Sequence, residues 1–196
     1  MKSTLTIGTI GTKGSAIPGF NSPGVGLDEP YAMLDACHER VERTLRLLAR
    51  IVPHVSTHGI DAKAQSAAVD VLRYFDIAAP LHHGDEELHV FPLLLQQNDA
   101  MTTQFVKQML SDHEQMSELW AALRTTLVEI SAHNPANGVE FVVTEAFEQQ
   151  IATFAALYAE HLKTESEILF PAAAQLTTVD ALHEMSDDMK RRRTTP

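Results

Sequence analysis

Residues 82–92 read HHGDEELHVFP, and the apolar residues Leu93, Leu94 and Leu95 follow directly. Acids at this density would, taken alone, describe a solvated helix face. The stretch is repeated, however. Residues 161–171 read HLKTESEILFP, and an offset of 79 places His82 on His161, Glu86 on Glu165, Phe91 on Phe170 and Pro92 on Pro171. An offset of 75 superimposes His38-Glu39 on His113-Glu114, Val41 on Met116, Leu45 on Trp120 and Leu48 on Leu123. The chain is therefore two similar helical hairpins, each with a lone histidine on its first helix and a His-x-x-x-Glu on its second.

Hydrophobic periodicity supplies the helices. After Asp28, an N-cap candidate with Pro30 in the first turn, residues Met33, Leu34, Cys37, Val41, Leu45, Leu48 and Val52 recur at three- and four-residue spacing, which predicts a helix ending at Pro53. A second helix is predicted from about Asp61 to Gln97, with a kink or local break at Pro80 and Gly84. A third is predicted from Asp99 to His133 and a fourth from Val139 to Gln175. Strand signals are nearly absent. The expected fold is all-α, an up-down-up-down four-helix bundle over residues 28–175. An irregular arm rich in glycine is expected over residues 1–27. Residues 176–196 are expected to form a short helix, about Val179 to Lys190, and a solvated basic tail around Lys190-Arg191-Arg192-Arg193.

Composition narrows the function classes. A net charge of −11 and a pI near 5.3 argue against nucleic acid as a partner, because that affinity rests on clustered Lys and Arg. Cys37 is the single cysteine, so neither an intramolecular disulfide nor a cysteine zinc knuckle is available. It is expected to pack at the edge of the first helix. No stretch reaches the ~18 apolar residues of a membrane span and the amino terminus lacks a signal-like apolar centre, so no membrane association and a cytoplasmic location are expected.

The spacing of the repeated motif points to a metal. Residues at i and i+4 lie about 40° apart around a helix, so one ion can reach both side chains. His161 and Glu165 share a stripe with Phe154, Leu157, Ile168 and Ala172, which should face the core, and His38 and His113 lie in register with apolar neighbours. Ionisable groups thus point inward from all four helices. Buried carboxylates are normally paired or metal-bound. Several imidazoles with two carboxylates fit a pair of iron ions, with Glu86 and Glu165 as bridges. His54, His58, His89, His133 and His183 fall outside the repeat and are expected to be exposed.

On His38, HHGDEELHVFP, His113 and HLKTESEILFP, the chain resembles the hemerythrin-like (HHE cation-binding) family over about residues 30–172. The resemblance implies an oxo- or hydroxo-bridged di-iron centre held by His38, His82, Glu86, His113, His161 and Glu165. Oxygen-carrying hemerythrins have five histidines, two of them four apart on the third helix, where this chain has Ser117. His83 is the candidate for the remaining ligand. A surface His83 and an alternative register pairing His83 with Glu87 stay open. The expected function is to bind dioxygen or to sense oxygen, nitric oxide or iron, with Phe75, Trp120, Phe154, Leu157 and Ile168 excluding water. The alternatives are an enzyme that decomposes peroxide or processes nitric oxide, and a metal-free interaction bundle.

Overall fold

The computed structural model describes residues 29–137 and 141–194. The arm expected over residues 1–27, the Asp28 cap and the Val139 helix start lie outside them.

Helix α1 runs Pro30–His58, with proline in its first turn, where a missing N–H costs nothing. It does not stop at Pro53. Ala49 and Pro53 both lie on the exposed side, so the carbonyl that loses its donor faces water. Gly59, at a φ of 71° that favours glycine, ends the helix instead.

Helix α2 covers residues 62–95 as α-helical segments Ala62–Arg73, Ala79–Asp85 and Phe91–Leu95, joined by π-helical turns at Tyr74–Ala78 and Glu86–Val90. The Asp61 carboxylate caps it by accepting from the amides of Lys63 and Ala64. Helix α3 is Ala100–Ser131, capped by Asp99. Helix α4 covers residues 145–176 as Glu145–Thr164, a π turn at Glu165–Leu169, and Phe170–Leu176. Helix α5 is Val179–Thr194. Consecutive helices of the bundle pack side by side, and α1 closes the ring against α4, while α5 lies across α1 and α2. This is the expected all-α four-helix bundle.

Pro80 and Gly84 do not break α2. Each π turn ends two residues before a proline, namely Pro80, Pro92 and Pro171. A proline has no N–H for the carbonyl four residues back and its ring crowds that carbonyl, and a turn widened by one residue relieves both problems. The wider turn also rotates the helix face. Ile168, expected to face the core, is 42% exposed, and Leu169 is fully buried in its place.

Helix α4 begins later than expected because Thr144 accepts a hydrogen bond from the Phe147 amide at 3.2 Å and so fixes its first turn. Replacing Thr144 with alanine should cost about 1 kcal/mol. Calorimetry should register this as a melting temperature lowered by roughly 2–4 °C, and an unchanged value would remove the cap's role.

The core consists of two apolar layers with a polar one between them. One layer holds Val41 to Val55 of α1, Leu123 to Ile130 of α3, and Phe147, Ile151 and Phe154 of α4. The other holds Met33 and Leu34, Val90 to Leu94, Val106 and Met109, and Leu169 to Ala173. Met185 and Met189 of α5 cover that second layer, which also buries Cys37. Cys37 is thus a core residue and not an edge residue. Each fully buried aliphatic or aromatic side chain contributes roughly 1.5–3 kcal/mol. An uncompensated buried carboxylate costs several kcal/mol, so the intervening layer must have its charges balanced.

A candidate dinuclear metal centre

The polar layer is the repeated motif. His82 and Glu86 sit where α2 passes into its second π turn, and His161 and Glu165 sit at the matching transition of α4. His38 comes from α1 and His113 from α3. Glu86 and Glu165 are both 0% exposed, and the four histidines are buried with them.

Each carboxylate turns one oxygen to each histidine pair. Glu86 Oε1 lies 3.2 Å from His82 Nε2 and 3.9 Å from His38 Nε2, while its Oε2 lies 3.5 Å from His113 Nε2. Glu165 Oε2 lies 3.2 Å from His38 Nε2, and its Oε1 lies 3.1 Å from His161 Nε2. His113 Nε2 and His161 Nε2 are 3.2 Å apart. Two donors each about 2.1 Å from one ion lie roughly 3 Å apart when they subtend about a right angle. Two groups result, one of His38, His82, Glu86 and Glu165 and one of His113, His161, Glu86 and Glu165, and either could hold a metal ion. His38 Nε2, His82 Nε2 and all four carboxylate oxygens lack a well-formed hydrogen bond among the described residues, as donors reserved for an ion would.

The outer nitrogens support this reading. His38 Nδ1 bonds Ser166 Oγ at 2.9 Å, His113 Nδ1 bonds Glu87 Oε1 at 2.7 Å, and His161 Nδ1 reaches Asp112 Oδ2 at 3.4 Å. A hydrogen bond at Nδ1 fixes the ring and leaves the Nε2 lone pair for a metal. Phe170 stacks on His38 and Phe91 on His113, with ring centroids 5.1 and 5.8 Å apart. The Phe-Pro pair that ends each motif therefore orients the lone histidine of the other hairpin.

Burial would lower the pKa of His38, but the nearby carboxylates of Glu165 and Glu86, which favour its protonated ring, outweigh it and raise the value to about 9. His161 is likewise disfavoured as a cation by burial, and Asp112 and Glu165 raise it to about 10. Burial and the charge of His38 push His82 well below the imidazole range, leaving it neutral. For Glu165, burial acts upward, but the adjacent imidazoles of His161 and His38 prevail and hold it well below the carboxylate range. Burial and the Glu165 charge raise Glu86.

These shifts have opposite consequences with and without metal. A raised imidazole contributes stability in full below its ordinary value of 6.5, and that contribution is lost as pH climbs through about 9 and 10 for His38 and His161. Metal-free protein should therefore melt at lower temperature at pH 9.5 than at pH 6.5. Metal affinity should rise over the same window, because an ion must displace those protons. Paired melts and ion titrations at the two pH values test both statements, and a metal-free protein that gains stability with pH would contradict the assignment.

His83 lies beside the centre. Its ring stacks on His113 with centroids 3.9 Å apart, Tyr158 Oη lies 3.5 Å from its Nε2, and His83, His113 and His161 form a third group of potential donors. Glu87 is partly exposed and bonds His113, so the inward pair is His82 with Glu86, not His83 with Glu87. Ser117 turns its hydroxyl to the His113 carbonyl. A cleft of about 520 Å³ between α2 and α3, lined by Phe75, Trp120 and Tyr158, reaches His83 and His113. A groove of about 640 Å³ between α1 and α4 reaches His38 and Ser166 on the other side. Phe75 and Phe154 are buried as expected, whereas Trp120 and Leu157 are only half-buried.

Among the outlying histidines, His58 and His183 are exposed as expected. His54 is half-buried on Asp61 at 2.8 Å, His89 is half-buried on Asp188 of α5 at 2.9 Å, and His133 is half-buried where its carbonyl accepts from Gln65. The basic run is not a solvated tail. Arg192 and Arg193 lie on α5 and pair with Asp85, which is 0% exposed because α5 covers it. Asp112, Ser166 and Tyr158 were not singled out from the sequence. The repeat contains the signal for the first two, since its offsets place Ser166 opposite Glu87 and Asp112 opposite Cys37.

Among the described residues no helix is long and apolar enough to cross a membrane. The chain is 32% identical over 166 residues to an uncharacterized protein of Haemophilus influenzae, covering 85% of this chain and 91% of that one. Residues 29–173 match the model of the hemerythrin HHE cation binding domain. That span takes in every donor of the polar layer and all four bundle helices except the last three residues of α4. The chain thus belongs to the hemerythrin HHE cation-binding family.

Proposed function

We propose that the protein holds two iron ions, bridged by Glu86 and Glu165, and uses them to bind dioxygen or to sense oxygen, nitric oxide or iron. The observation that carries this reading is the division of donors: each carboxylate offers one oxygen to the His38/His82 pair and the other to the His113/His161 pair. Imidazoles with two carboxylates, and no thiolate, suit iron. Once loaded, such a centre supplies electrons and an open position to a small diatomic ligand. The protein's own part is to fix the imidazoles through Glu87, Asp112 and Ser166 and to stack Phe170 on His38 and Phe91 on His113. His83 is close enough to His113 and His161 to serve as a fifth imidazole.

The cleft between α2 and α3 supports a second reading, an enzyme that decomposes peroxide or processes nitric oxide. It brings solvent to His113, whose Nδ1 is held by the partly exposed Glu87 at the edge of the cleft. Spectra of the ferrous protein mixed with dioxygen, nitric oxide and peroxide separate the two. A stable charge-transfer band that disappears on deoxygenation supports binding or sensing. Multiple turnover of peroxide with gas evolution supports the enzyme, and a protein that takes up no iron contradicts both.

A further inference from the structure

The two halves of the centre are related by the sequence repeat, yet the groups behind their imidazoles differ. The offset of 79 equates Glu87 with Ser166, and each contacts the Nδ1 of a lone histidine, Glu87 on His113 and Ser166 on His38. The offset of 75 equates Asp112 with Cys37. Asp112 faces His161 Nδ1 and is itself held by Gln108 at 2.8 Å, whereas His82 Nδ1 has no partner among the described residues. Carboxylates therefore support both imidazoles of one half, while the other half has a hydroxyl and no support.

A carboxylate behind a ligating imidazole makes it a stronger donor and holds its ring in place, and losing such a partner typically weakens metal binding by about 10–100-fold. Resting on the dinuclear reading above, we infer that the two metal positions are unequal: His113/His161 is the tight position, and His38/His82 is an exchangeable one that fills last and empties first. The groove between α1 and α4 fits this assignment. It reaches His38 and Ser166 from solvent, so an ion beside His38 has a route in and out, while the acids Glu42 and Glu167 of its lining are balanced by Arg46 and Lys163. Glu87 and Asp112 are then positioning residues that set the order of loading. The protein passes between a one-ion and a two-ion form as the divalent metal supply changes.

Anaerobic titration of the metal-free full-length chain with ferrous ion, followed by a timed chelator challenge, tests this. The parent should bind two ions in steps at least tenfold apart, with one ion lost early to the chelator. Asp112→Asn, or Glu87→Gln at its partly exposed site, should weaken the tight step by about 10-fold or more. Ser166→Ala should leave that step within about twofold. Ser166→Glu should tighten the weak step. Two ions of equal affinity in the parent, or an Asp112→Asn protein in which only the weak step moves, would overturn the inference while leaving the dinuclear reading intact. A parent that binds no ion would overturn that reading itself.

Discussion

Replacing Glu165 with alanine should abolish retention of both ions and lower the melting temperature by roughly 10 °C. Glu165 touches both halves, at 3.2 Å from His38 Nε2 and 3.1 Å from His161 Nε2, and is fully buried. In the proposed dinuclear centre, its removal would take a bridge from each ion. Without metal, it takes the counter-charge from two imidazoles that it helps keep protonated, and leaving a buried charge without its partner costs about 3–5 kcal/mol. His161→Ala should also lose iron, whereas His183→Ala, at an exposed site on α5, should change neither iron content nor stability. Iron analysis after gel filtration with calorimetry checks all three proteins, and a Glu165→Ala protein that keeps two ions would refute the bridging assignment.

Asp85→Ala should be comparably damaging although Asp85 is not among the donors. Its carboxylate is 0% exposed and accepts from Arg192 and from Arg193, itself nearly buried on α5. Removing it leaves the Arg193 guanidinium in the interior without this carboxylate, again a cost of about 3–5 kcal/mol. The solvent-exposed Arg46–Glu42 pair contributes little by comparison. The double variant Asp85→Leu/Arg193→Met should recover a good part of the loss, because an apolar pair of similar size avoids the desolvation cost. A double-mutant cycle by urea denaturation measures the coupling, and additive losses would show that Asp85 and Arg193 do not stabilise one another.

The fold was legible because helical periodicity and the internal repeat are both carried by residue identity. Asp61 and Asp99 mark their helix starts, and the repeated His-x-x-x-Glu marks the inward faces. The errors have a common physical origin in tertiary context. Ile168 faces outward because the π turn that ends two residues before Pro171 rotates the face by one residue. Arg192 and Arg193 read as a solvated tail because no local pattern shows that Asp85, on another helix, is buried and awaits a cation. Pro53 read as a stop because sequence alone does not show which carbonyls face water. Within the site, the inward placement of the four histidines and two glutamates was legible from spacing, whereas Asp112 and Ser166 come to notice only when the two repeats are aligned.

Diffraction from crystals of the iron-loaded protein, with data collected on both sides of the iron absorption edge, tests the proposed dinuclear centre. Two anomalous peaks are expected between Glu86 and Glu165, one beside His38 and His82 and the other beside His113 and His161. A single peak lying outside the two carboxylates, or no peak among these six side chains, would contradict it.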